Sequence, residues 1–194
     1  VQALQVPVLI QYSLGNKRYE KAPDKYDLDL IDKINNLAIP YWFPSDKVPV
    51  GYNTEQPKRS HGVTHVHHFY TKRNLWVLAV LYNKCAWKDK LVFQSIVTTL
   101  CSRLVRYNMG HRGNGSLSGT LYISSMNAEA NVLKVFGGKI SDFTKALGSI
   151  ISRNMVTSQS TSEVRNIQNN SIDYIFTDPP FGSNLMYSEL NFLW

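Results

Sequence analysis

The sequence has little cysteine, no long apolar run and no recognisable targeting segment. Its 194 residues include two cysteines, Cys85 and Cys101, too few for a disulfide framework or a four-cysteine zinc site. No apolar stretch approaches the roughly 18 residues of a membrane span, and no signal-peptide pattern opens the chain. We therefore expect a cytoplasmic protein without a membrane partner. A hydrophobic content of 43% predicts a folded core and excludes a disordered chain.

Both ends of the sequence have the character of interior positions in a longer chain. The sequence begins at Val1 rather than at a methionine, and it stops at Trp194 within an apolar pattern. We expect the missing upstream and downstream parts of the same protein to be partners of this chain.

Acidic residues are almost missing from one window that is rich in cations. Between Lys58 and Arg112 there are ten lysines and arginines and one acid, Asp89, a net charge of +9 against +7 for the whole chain. All five histidines lie in the same window. Such a run is either a solvated face or a surface for a polyanion such as nucleic acid.

Apolar periodicity predicts one short helix and three longer helices, with short strands between them. Residues 1–60 are expected to be irregular apart from an edge strand at 6–12 and a helix at 27–37. Longer helices are predicted from residue 72, over 90–107 and over 127–152, with a strand at 120–124. The Gly-rich loop 110–119 lacks the Lys-Ser/Thr ending of a nucleotide-binding P-loop, which excludes an ATPase. The domain prediction is 1–60, then the helical basic region 61–155 with this loop, then 156–194.

Several side chains of the basic window are candidate nucleic-acid contacts. Lys72 and Arg73 fall in the first turn of a helix, where cations oppose the helix dipole, so they either extend into water or hold an anion. His67 and His68 are assigned to a backbone or phosphate contact, or to a structural role. No metal site is predicted because few acids and cysteines accompany the histidines. Arg112, in the Gly-rich loop, is a candidate contact to the nucleic-acid backbone.

The motif Asp178-Pro179-Pro180-Phe181 carries the strongest chemical signal, because it directly follows a predicted strand at 172–177. An exocyclic amino group of a nucleobase is a poor nucleophile because its lone pair is delocalised into the ring. The Asp178 carboxylate and the Pro179 carbonyl can each accept one N–H and so localise that lone pair. Phe181 offers a flat surface for a base turned out of its helix. A structural turn after a strand is the alternative.

The segment around Asp178 resembles motif IV of the S-adenosylmethionine-dependent amino-methyltransferases. Further stretches over nearly all of the chain are similar to the middle of large bacterial DNA methylases of the N6-adenine/N4-cytosine type, notably 5–10, 15–19, 40–44, 62–75, 119–123 and 184–191. The resemblance implies an α/β fold, a partial Rossmann-like methyltransferase sheet with a helical, basic insertion or recognition region. It also implies S-adenosyl-L-methionine as cofactor, DNA as substrate, and catalysis by Asp178, Pro179, Pro180 and Phe181.

One family feature is missing from the sequence. Such methylases carry a glycine-rich cofactor motif of the DPFCGSGT kind, which is not found here, so no cofactor-binding residue is assigned and this chain alone is expected to be inactive. Asn184, Tyr187 and Glu189 follow motif IV and either line the base pocket or cap and pack the next helix. Adenine N6 is favoured over cytosine N4 because the motif begins with Asp rather than Ser. An RNA guanine-N2 methyltransferase and a non-catalytic nucleic-acid-binding module stay open as alternatives.

Overall fold

The computed structural model describes residues 5–86, 90–97, 100–108, 115–149, 167–177, 186–190 and 192. Helices predominate in this part of the chain, and a single two-stranded sheet accompanies them. The elements in chain order are β1 (Ile10–Leu14), β2 (Lys17–Lys21), α1 (Lys25–Asn36), α2 (Tyr52–His61), a 3-10 turn (Val66–Phe69), α3 (Lys72–Lys84), α4 (Lys90–Val97), α5 (Val132–Ser149) and α6 (Tyr187–Leu190).

The N-terminal segment is more regular than its sequence predicted. Strands β1 and β2 form an antiparallel hairpin, and Gly15 occupies the tight turn between them with a φ of 59° that favours glycine. Tyr12 and Tyr19 lie opposite each other across the hairpin and stack at 5.5 Å. The predicted strand at 6–12 is therefore shifted towards the C-terminus, and the prediction that residues 1–60 are largely irregular is wrong.

Helix α1 confirms the predicted short helix, with an earlier start. Asp24 caps it, because the Asp24 carboxylate accepts from the Asp27 amide and the Asp27 carboxylate accepts from the Asp24 amide, both at 3.0 Å. Helix α2 was missed, because its region was expected to be irregular. Pro57 lies inside α2 and is buried there, so α2 forms despite the helix-breaking character of proline.

Helix α3 begins where the sequence predicted. The Thr71 hydroxyl accepts from the Asn74 amide at 3.2 Å, which satisfies one of the unpaired donors of the first turn. Leu75, Leu78 and Ala79 are buried on the face that the apolar spacing indicated. The cap and the periodicity together account for this helix.

The predicted helix over 90–107 is wrong in its second half. Helix α4 ends at Val97, and the chain beyond Leu100 is irregular. The reason is that its backbone donors bond to distant segments: the Arg103 amide donates to the Phe69 carbonyl at 2.7 Å, and the Tyr107 amide donates to the Met126 carbonyl at 3.0 Å. Tertiary contacts override the local helical periodicity here.

The predicted strand at 120–124 is also absent from the described structure, where Leu121 and Ile123 are buried in irregular backbone. The backbone of Ile123 pairs with a side chain, because Gln56 of α2 accepts from its amide and donates to its carbonyl, both at 3.2 Å. The Gln56 side-chain amide makes the two hydrogen bonds that the backbone of a neighbouring strand would otherwise make. Helix α5 confirms the third predicted helix but starts at Val132, with Asn131 accepting from the Lys134 amide.

A single apolar core joins segments from both sides of the predicted boundary at residue 60. Helix α3 packs against α1, α4 and α5, and α2 packs against α6. The buried apolar residues of this core are Val48, Val63, Val66, Phe69, Tyr70, Leu75, Leu78, Phe93, Ile96, Val97, Cys101, Leu104, Leu121, Ile123 and Val132. Residues before and after position 60 therefore share one core.

In the part of the chain that the structure describes, the sheet is the antiparallel β1–β2 hairpin. The partial Rossmann-like methyltransferase sheet accordingly stays a prediction. No described helix is both long enough and apolar enough to cross a membrane.

Candidate functional site

The predicted site residues divide into those that the structure describes and those that it does not. Lys72, Arg73, His67 and His68 lie within the described part, and Tyr187 opens α6 with its backbone alone described. The remaining candidates lie outside the described residues: Arg112, Asp178, Pro179, Pro180, Phe181 and Asn184. The structure describes the chain on either side of the Asp178 motif, up to Thr177 and again from Met186.

On the C-terminal side of the motif, Glu189 attaches α6 to the first turn of α2. The Glu189 side chain is 8% exposed, and its Oε2 accepts a hydrogen bond from the Asn53 amide at 2.8 Å. A carboxylate at this position satisfies an unpaired helix donor and complements the positive end of the helix dipole. Of the two roles left open for Glu189, the structure supports capping, with the difference that the capped helix is α2, about 130 residues upstream in the chain.

Gly51 makes the approach of Glu189 possible. A Cβ atom at residue 51 would overlap the Glu189 carboxyl group. The backbone of Gly51 is extended, at φ −177°, so the requirement for glycine here is one of space rather than of backbone conformation. The Thr54 hydroxyl accepts from the Gly51 amide at 3.0 Å and completes the start of α2. Leu190 packs against the core beside this contact, so α6 is held by one polar and one apolar anchor.

On the N-terminal side of the motif, the segment 172–177 is not a strand in the structure. Its large apolar side chains are exposed: Tyr174 by 79%, Ile175 by 73% and Phe176 by 79%. The prediction of a strand is corrected here, because a strand needs hydrogen-bonded neighbours and no described residue pairs with this segment. Its apolar, β-branched composition nevertheless explains the prediction.

The two cations at the start of α3 have different surroundings. Arg73 forms a bidentate ion pair with Glu129, in which the Arg73 Nε donates to Oε1 at 2.9 Å. Lys72 has no carboxylate within ion-pair distance among the described residues. Lys72 is therefore the more available of the two for an anion, whereas Arg73 already has a partner that sequence spacing could not reveal.

His65, His67 and His68 lie side by side around the 3-10 turn that precedes α3. The ring centroids of His67 and His68 are 4.4 Å apart, and that of His65 lies 5.6 Å from His67 and 5.3 Å from His68. His68 Nδ1 accepts from the Thr64 amide at 3.2 Å, which requires this nitrogen to be unprotonated. Among the described residues, no group of three or more His, Cys, Asp or Glu side chains is arranged to hold a metal ion.

The histidine cluster is electrostatically unfavourable for protonation. Burial, with the positive charge of its histidine neighbours and of Arg103, lowers the pKa of His68 from 6.5 to about 4. Burial first and the His65 charge second also lower the pKa of His67, while the Pro44 carbonyl opposes the shift. Neutral histidines cannot neutralise a phosphate, so the structure favours a hydrogen-bonding or structural role for His67 and His68 over a cationic one.

Arg103 has a structural role, although it belongs to the basic window of the sequence. It is only 4% exposed, and its Nη1 donates to the His68 carbonyl at 2.9 Å while its own carbonyl accepts from the Asn127 side chain at 2.5 Å. Burial lowers its pKa. Arg103 thereby joins the histidine turn to residues 124–127, a role that its charge alone did not indicate.

A cleft of about 340 Å³ lies where the backbone around Arg106 passes between two other segments. The Arg106 amide donates to the Gly115 carbonyl at 3.1 Å, and the Ala128 amide donates to the Val105 carbonyl at 2.9 Å. The residues that line the cleft are Arg106, Tyr107, Asn108, Gly115, Ser116, Ser124, Ser125 and Met126. None of them is acidic, so the cleft is polar and carries one positive charge.

Comparison with protein-family models, with curated proteins and with solved structures finds no significant match to this chain. The functional argument therefore depends on the residues themselves.

Proposed function

We propose that this protein takes part in methyl transfer from S-adenosyl-L-methionine to an exocyclic amino group of a DNA base, with adenine N6 favoured over cytosine N4. The observation that carries the proposal is the Asp178-Pro179-Pro180-Phe181 motif, which has the chemistry of an amine-orienting loop and resembles motif IV of the amino-methyltransferases. The anchored α6 supports it, because Glu189 and Leu190 fix the chain a few residues beyond the motif. A loop that orients a substrate benefits from a rigid support.

In this proposal, Asp178 and the Pro179 carbonyl each accept one N–H of the target amine. The two acceptors draw the nitrogen towards tetrahedral geometry and make its lone pair available for attack. The prolines fix the backbone and remove competing N–H donors, and Phe181 stacks on the extruded base. When bound, S-adenosyl-L-methionine supplies the electrophilic methyl group.

The cleft beside Arg106 does not fit S-adenosyl-L-methionine. The cleft beside Arg106 has no carboxylate to bind ribose hydroxyls, which is the usual role of an acid in nucleoside cofactor sites. We therefore expect the contacts to S-adenosyl-L-methionine to lie elsewhere in the protein.

The experiment is methyl transfer by the full-length protein carrying Asp178→Ala, with labelled S-adenosyl-L-methionine and either DNA or RNA as acceptor. We expect loss of methyl transfer to DNA, and DNA binding within about tenfold of the unmodified protein, on the order of 1.4 kcal/mol. Asp173→Ala is the matched control, since Asp173 is an exposed acid five residues upstream. Greater loss of DNA binding, or equal loss of activity in both variants, would count against the assigned role.

A non-catalytic nucleic-acid-binding module is the second candidate. It is favoured by the +9 charge of the basic window and by Lys72, which has no carboxylate within ion-pair distance in the described part of the chain. Methylation that persists in the Asp178→Ala variant, together with DNA binding, would support this candidate over the enzyme. Transfer to RNA and not to DNA would instead support an RNA guanine-N2 methyltransferase.

A further inference from the structure

We infer that the cleft beside Arg106 is a phosphate-binding site that takes a phosphodiester group of the nucleic-acid backbone. This inference rests on the proposed function only for the identity of the polyanion. The cleft residues come from three separate segments, 106–108, 115–116 and 124–126, so the sequence did not indicate that they lie together.

The charge of the cleft is suited to an anion. Arg106 is exposed, and no carboxylate among the described residues lies within ion-pair distance of it. The acid Glu129 is already paired with Arg73. A guanidinium without a counter-ion can make two parallel hydrogen bonds to a phosphate, a geometry that lysine cannot provide.

Hydroxyl donors complete the cleft. Ser116 and Ser125 line it, and their hydroxyls have no partner in the part of the chain that the structure describes. Each hydroxyl can donate one hydrogen bond to a phosphate oxygen. The cleft thus combines one cation with neutral donors and lacks the carboxylate that would repel an anion.

The walls of the cleft are fixed in advance of binding. Residue 106 forms antiparallel bridges to Gly115 on one side and to Asn127 on the other. The Ser124 hydroxyl donates to the Met126 carbonyl at 2.7 Å and holds the opposite turn. Preformed donors lower the entropic cost of binding, which favours a specific site over a mobile surface cation.

The size and charge of the cleft favour a backbone phosphodiester over a free nucleotide. Its volume of about 340 Å³ is at the lower end of ligand sites, roughly 300–1,000 Å³, and is large enough for a phosphate with its sugar. One guanidinium matches the single charge of a phosphodiester, whereas a nucleoside triphosphate carries several charges. Arg106 also belongs to the window with the +9 charge surplus.

The test uses the full-length protein and a fluorescent duplex of random DNA, with affinity measured over a range of salt concentration. We expect Arg106→Gln to lower the slope of log affinity against log salt by about 0.9, one phosphate's worth, at every sequence tested. Arg18→Gln is the matched control, because Arg18 is an exposed arginine of β2 that lies outside the basic window. The salt slope of DNA binding by Arg18→Gln should not change. An unchanged slope in Arg106→Gln would overturn the inference.

Two further arms keep the result interpretable. Ser125→Ala, at an exposed position, should weaken DNA binding about threefold to tenfold without altering the salt slope. If Arg106→Gln does not fold, Ser125→Ala becomes the test of the site. Unchanged DNA affinity in Ser125→Ala would then overturn the inference. Calorimetry with ATP and with inorganic phosphate tests the free-nucleotide source. Arg106-dependent binding of ATP with an unchanged DNA slope would overturn the assignment to nucleic acid. The slope is independent of methyl transfer, so failure of the Asp178 role and failure of this site give different results.

Discussion

Replacing Gly51 by alanine should destabilise the protein, although the backbone at this residue accepts any side chain. The new Cβ would overlap the Glu189 carboxyl group and force it away from the first turn of α2. The hydrogen bond from the Asn53 amide to Glu189 would be lost, and the amide would be left without its capping acceptor.

The size of the effect follows from two opposing contributions, the lost capping contact and the restricted unfolded chain. A hydrogen bond to a charged group contributes about 1.5–3 kcal/mol, and loss of a helix N-cap costs roughly 0.5–2 kcal/mol; both figures describe the same Glu189–Asn53 contact, so they are not added. Alanine returns about 0.4–1 kcal/mol by restricting the unfolded chain. We expect a net loss of about 1–2 kcal/mol, which for a chain of this length lowers Tm by roughly 2–8 °C.

The assay is thermal and urea unfolding of Gly51→Ala, Gly138→Ala, Glu189→Ala and the double variant that combines Gly51→Ala with Glu189→Ala. Gly138→Ala is the matched control: apart from its chain neighbours and the local helix backbone, no heavy atom lies within 4 Å of a Cβ built at this position of α5, so it should stabilise the protein by about 0.5–1 kcal/mol. In a Glu189→Ala background the clash is removed, and Gly51→Ala should then cost nothing. Equal destabilisation by Gly51→Ala in both backgrounds would refute the reasoning, as would a variant as stable as the unmodified protein.

Three further predictions concern the region around α3. Thr71→Ala should cost about 1 kcal/mol of unfolding free energy in urea while Thr71→Ser keeps the cap; equal losses would exclude capping. His68 stays neutral in the folded state, so the free energy of unfolding should fall as pH decreases from 6.5 towards about 4. His68→Asn keeps an acceptor for the Thr64 amide, and in urea titrations across this range its free energy of unfolding should fall less. An identical pH profile of the two proteins would contradict the lowered pKa. Lys72→Ala should lower the salt slope of DNA binding by about 0.9, whereas Arg73→Ala should change it less because Arg73 is paired with Glu129; an unchanged slope in Lys72→Ala would show that this side chain only faces water.

The sequence predicted those elements whose signals are local. Thr71 and the apolar spacing after it define α3 without help from the rest of the chain. The Gly15-Asn16 pair between two alternating segments is a hairpin signal of the same kind, and it was available to sequence reasoning but was not used. Caps, turns and periodicity are properties of neighbouring residues, which explains why they can be found without a structure.

The elements that were missed depend on residues far apart in the chain. Helix α2 begins where Glu189 supplies its cap, and no local residue indicates that contact. Helix α4 ends early because Arg103 donates to carbonyls of the histidine turn about 35 residues upstream. The partner of Arg73 is Glu129, again from a distant segment. Of the candidate site, the sequence could indicate the motif at Asp178 but not the support that α2 and α6 give to its C-terminal side.

The most direct test of the central claim is sequencing of genomic DNA for modified bases in cells that carry the intact gene, the Asp178→Ala gene or no gene. We predict N6-methyladenine at a defined sequence with the intact gene only, and loss of the modification with Asp178→Ala despite a normal level of the protein. Modification that persists in the Asp178→Ala cells, or genomes that are identical with and without the intact gene, would contradict the proposed methyl transfer to DNA.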